Sequence, residues 1–62
     1  MKPGDRVLAT VYGNRKVERI VVQTIDNTIV ICTPEEWEMA IREMRHAEGV
    51  GFPVTDVKPV SV

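Results

Sequence analysis

Thr33-Pro34-Glu35-Glu36-Trp37-Glu38-Met39-Ala40-Ile41-Arg42-Glu43-Met44-Arg45-His46 is the stretch from which the fold is read. Thr33 suits a helix N-cap, Pro34 the first helical position, and Glu36 the third position of a capping box. Glu35 and Glu36 also lie where the helix dipole favours negative charge. Trp37, Ala40, Ile41 and Met44 recur at i, i+3, i+4 and i+7, one apolar stripe. Glu38 and Arg42 are spaced for an i, i+4 ion pair on the wet side. Arg42, Arg45 and His46 complement the C-terminal end, and Gly49 suits a chain stop. The spacing predicts one amphipathic helix over about 34–46, with Trp37 packed against a sheet.

Upstream the period changes. Val7, Ala9 and Val11 alternate with Leu8, Thr10 and Tyr12, a strand pattern. Gly13-Asn14 tolerates positive φ and predicts a tight hairpin. A second strand is expected from about Lys16 to Ile25, with the break at Glu18-Arg19 suggesting a bulge or a bend. Asp26-Asn27 marks the next turn, and the β-branched run Thr28 to Cys32 reads as a buried strand. Downstream, Val50-Gly51-Phe52 is long enough only for a small strand. Pro53 to Asp56 reads as a turn, with room for one turn of 3₁₀ helix. Val57-Lys58-Pro59-Val60 is a last strand that Pro59 confines to an edge or an end. The order β-β-β-α-β-turn-β places the chain in the α+β or mainly β class. Expected is a small five-stranded barrel or antiparallel sheet with the helix after the third strand.

Two segments carry a resemblance. Lys2-Pro3-Gly4-Asp5-Arg6-Val7-Leu8-Ala9 resembles the first strand of SH3-like barrels, Tudor-type domains included. Phe52-Pro53-Val54-Thr55-Asp56-Val57-Lys58-Pro59-Val60 resembles their 3₁₀ turn leading into the last strand. The resemblance covers the two ends and implies an SH3-like barrel. The helix over 34–46 departs from the short connection usual there. The chain also has only Tyr12, Trp37 and Phe52 as aromatics, where proline-rich ligands and methyl-lysine need grooves or cages lined by several.

Composition bounds the function. With 62 residues, 44% apolar and 27% charged, the chain reads as one ordinary globular domain over 1–62, near the lower limit for folding alone. At that size oligomerisation is an effective way to bury more apolar surface. The net charge of −1 gives no bulk argument for nucleic acid or membrane. The lone cysteine, Cys32, excludes an internal disulfide and fits a reducing compartment. No apolar leader pattern opens the sequence, and the run Ile29 to Cys32 is far short of a membrane span. A cytoplasmic protein is expected.

No residues converge in the sequence as a catalytic or metal site. Cys32 and His46 form the one conceivable thiol–base pair, yet Cys32 lies in an apolar strand and His46 at a helix end. Glu35, Glu36 and Glu38 suit capping and solubility. Gly49-Val50-Gly51 lacks the following Lys and helix start of a phosphate loop. No cofactor and no small-molecule substrate is expected.

Charge, by contrast, is unevenly spread. Residues 1–19 carry Lys2, Arg6, Arg15, Lys16 and Arg19 against Asp5 and Glu18, a net of +3. Residues 35–48 carry five Glu against Arg42 and Arg45, a net of −3. Tyr12, Arg15, Lys16 and Arg19 of the first hairpin are the candidate partner-binding residues, joined by Met39, which lies about 140° from the centre of the helix stripe and is expected in solvent. The expected function is that of a non-enzymatic adaptor-like module, binding a protein partner or itself. The alternative is a nucleic-acid-binding accessory protein, with the basic side chains on phosphate and Tyr12 stacking a base.

Overall fold

A computed structural model describes residues 1–60. The strands are β1 (Arg6–Val11), β2 (Arg15–Ile25), β3 (Thr28–Cys32), β4 (Val50–Pro53) and β5 (Val57–Pro59), with helix α1 (Pro34–Glu43) between β3 and β4. They form one antiparallel five-stranded sheet in the order β4-β3-β2-β1-β5. The fold is α+β, as the order of patterns predicts.

The sheet is curled. A 3₁₀ turn of three residues, Val54–Asp56, carries the chain from edge strand β4 to the opposite edge strand β5. In a flat sheet those edges would stand about 19 Å apart, four strand spacings of ~4.8 Å. Four Cα–Cα steps span at most ~15 Å, and about half that in 3₁₀ geometry. The two edges must therefore approach each other. No β4–β5 ladder closes the ring among the described residues, so the closed form of the barrel expectation is corrected to an open one.

Inside the curl lie Val7, Ala9, Val21, Ile29, Ile31 and Val57, each at most 3% exposed, with Val17 and Phe52 packed against them. The odd residues of β1 and β2 point inward together because they are direct cross-strand partners: Ala9 with Val17, and Val7 with Arg19. On the other face the β2–β3 pair Ile20 and Cys32 is buried as well, and the helix packs on β2.

Several local expectations need correction. The register of β1 with β2 runs unbroken past Glu18 and Arg19. The irregularity lies between Val21 and Gln23, against β3, so Val22 is the extra residue. The first hairpin is the tight one expected: it turns through three residues, Tyr12–Asn14, with positive φ at both Gly13 and Asn14.

The helix stops at Glu43, short of Arg45 or His46. Met44 adopts the left-handed conformation (φ 55°, ψ 45°). Its N–H donates to the Ile41 carbonyl and that of Arg45 to the Ala40 carbonyl, the crossed pair of bonds that ends a helix in a Schellman motif. Methionine fills a position that glycine usually takes. Gly49 has a different task from the chain stop expected of it. A Cβ there would lie 2.6 Å from the Ile31 carbonyl oxygen, so its missing side chain lets the segment after the helix press onto β3.

Candidate interaction site

Thr33 Oγ1 accepts a hydrogen bond from the Glu36 N–H at 3.0 Å, which completes one half of the expected capping box. The other half is absent because the Glu36 carboxylate is engaged elsewhere. It takes Arg45 at 2.5 Å and the Glu48 N–H at 3.0 Å. These bonds hold its carboxyl below the usual carboxylate range. Arg45 also binds Glu43 at 2.6 Å, and the two carboxylates raise its already high pKa further. The segment beyond the helix is thus tied back to the first helical turn. The expected Glu38–Arg42 pair is not among the ion pairs of the described residues.

The apolar stripe is only half used. Ala40 is buried and Trp37 half-buried, but Ile41 is 63% and Met44 92% exposed. The stripe expectation fails at its C-terminal half: the helix ends at Glu43, and neither Ile41 nor Met44 is covered. Trp37 meets the N-terminal turn: a Cβ at Gly4 would stand 3.5 Å from its Cζ2. That turn is anchored on β2 by Gly4 N–H to Val21 O and Val21 N–H to Asp5 O, each 2.9 Å. Met39 is 43% exposed, on the outer side where the helical wheel places it.

The basic hairpin divides. Tyr12 stands at the tip, 98% exposed. Arg15 and Lys16 are exposed and form no ion pair among the described residues. Arg19 is half-buried on the inner face, with one Nη donating to the Glu18 carbonyl at 2.8 Å. It lines an open groove of about 580 Å³ whose walls include Val17, Phe52, Cys32 and Glu36. Arg15 and Arg19 share the inner parity of β2, while Lys16 lies on the outer face. The four hairpin residues are therefore not one cluster, because alternate strand positions face opposite ways.

On the outer face the structure supplies a neighbour that the sequence reading missed. Lys16 pairs across β1 with Thr10, and Leu8 pairs on its other side with Lys58. Lys16, Lys58, Leu8 and Thr10 line one shallow depression of about 190 Å³. Lys58 lies 42 positions from Lys16, so only the β1–β5 ladder brings them together. The nearby Arg6 and Glu18 neutralise each other at 3.1 Å, which leaves the two lysines as the uncompensated charge of this face.

Cys32 is 5% exposed. Burial, and next the Glu36 charge, push its thiol pKa up, against a smaller opposing effect of Arg19. A thiol held protonated is a poor nucleophile, and His46 lies in solvent. Among the described residues no group of three or more His, Cys, Asp or Glu side chains is arranged to hold a metal ion. No helix among them is long and apolar enough to cross a membrane. Comparison with known proteins finds no matching family model, curated protein or solved structure.

Proposed function

We propose that this protein is a non-enzymatic, cytoplasmic protein-interaction module. The observation that carries the reading is the pair of exposed apolar side chains where the helix ends. Ile41 in the last helical turn is 63% exposed and Met44 at the cap 92%, and apolar surface left outside a small domain supports a partner surface. Beside it Met39 adds a flexible apolar side chain of the kind that adapts to a partner. A photo-reactive residue at position 41 or 44 should give discrete cross-linked protein adducts in the native cell extract. The same group at Gln23, exposed on β2, should not. Equal yields at all three positions would sink the reading.

A second reading has its own support. Tyr12 at the hairpin tip and Lys16 beside Lys58 offer a stacking ring and two cations to a nucleic-acid strand. Binding to generic single-stranded DNA or RNA should then weaken linearly in log–log terms with salt. Reversing both lysines should reduce that slope by about 1.4, at ~0.7 per phosphate contact of a single strand. No salt-dependent binding would remove this reading.

A further inference from the structure

We infer that the partner is a second copy of this chain, with the Lys16–Lys58 face of each copy set against the helix of the other. The inference rests on the interaction-module reading and names its occupant and its surfaces.

Charge complementarity is the first argument. Lys16 and Lys58 flank Leu8 and Thr10 with no carboxylate bound to either among the described residues. Glu35 and Glu38 are exposed on the helix and likewise lack a cation there. Each molecule thus presents one patch of each sign, and each patch is what the other requires.

Placement is the second argument. Lys16, Glu18 and Ile20 share one parity of β2, the strand on which the helix packs, and Ile20 is buried there. The basic patch and the helix are therefore both borne by β2. At ~6.8 Å per two residues along a strand, Lys16 lies about 14 Å from Ile20. A two-fold axis beside β2 sets the basic patch of each copy against the helix of its mate, and both contacts form together.

The overall charge is permissive. At a net −1, two copies repel each other only weakly. The contact would also cover Leu8, half-buried in the floor of the depression, and apolar helix residues such as Ile41.

Complementary charge reversal tests this. Sedimentation equilibrium at low ionic strength should show a monomer–dimer equilibrium for the wild type, weakened by added salt. K16E/K58E alone and E35K/E38K alone should each dimerise at least about tenfold more weakly. An equimolar mixture of the two should recover dimers, since every reversed pair is again opposite in sign. K2E/R15E, of the same net charge as the first variant and outside both patches, should dimerise as the wild type does, which separates position from total charge. A wild type that stays monomeric at millimolar concentration overturns the inference, and so does a mixture that fails to recover. If the monomer binds polyglutamate through Lys16 and Lys58, the module reading stands and the second copy is excluded. If it binds single-stranded DNA instead, both fall in favour of the nucleic-acid reading.

Discussion

At the level of single residues, Met44 shows how tertiary geometry outranks local preference. Its φ of 55° belongs to a region where a Cβ costs about 1 kcal/mol, and where glycine costs nothing comparable. The side chain is 92% exposed and offsets little of that cost through packing within the monomer. Met44→Gly should therefore stabilise the fold by up to about 1 kcal/mol, read as a raised midpoint of urea unfolding. An unchanged or lowered midpoint would mean that the methionine side chain stabilises the monomer in some other way. In the sequence, Met44 completes the i, i+7 spacing and looks like part of the core face. Nothing in that spacing signals a helix that ends one residue earlier. The exposure of Tyr12 and Met39, by contrast, was legible from a turn and a helical wheel. Lys58 was not, because a pairing between the first and last strands leaves no local trace.

The elements add a second layer. The start of the helix was readable from Thr33-Pro34-Glu35-Glu36, since caps act through residues three apart. Its end was not, since Arg45 reaches back nine positions to Glu36. That tie has a pH signature. Because the folded carboxyl of Glu36 titrates below its ordinary range, the stability it contributes is fully present above the ordinary carboxylate value of about 4.3. It fades as pH falls through the lower folded value. Glu36→Gln should give a shallower loss of stability on acidification than the wild type, read from unfolding midpoints between neutral pH and about pH 2.5. Identical acid limbs would show that the tie contributes nothing in solution. Trp37 belongs at this scale too, since it joins the helix to the Lys2–Asp5 turn. Half-buried rather than enclosed, it should cost about 2 kcal/mol on change to alanine, below the 3–5 of a fully buried tryptophan. Thermal melting checks this, and an unchanged melting temperature would remove the helix-to-turn contact from the account.

For the molecule as a whole, alternation and turns made five strands legible, but not the curl. Curling depends on how few residues separate β4 from β5, and on which edge β5 joins. Val57 is where that joining is felt: 3% exposed and opposite Ala9, it fills the core from the last strand. Val57→Ala should destabilise by about 1.5–3 kcal/mol through lost burial and a cavity. In a domain with a margin of a few kcal/mol that is enough to populate the unfolded state visibly in a denaturant titration. A change below 0.5 kcal/mol would mean that β5 is not needed to hold the sheet together.

The β1–β5 ladder also sets an order of events in time. β1 is made before any other strand of the sheet, yet one of its two neighbours is made some fifty residues later. Until residue 57 emerges, β1 has an open edge and the core lacks Val57. Pairings of such long sequence separation close slowly, and an unpaired edge in the interim is an invitation to aggregate. The domain should therefore complete its fold only once β5 has been made, with the helix and the β2–β3 hairpin waiting for that strand.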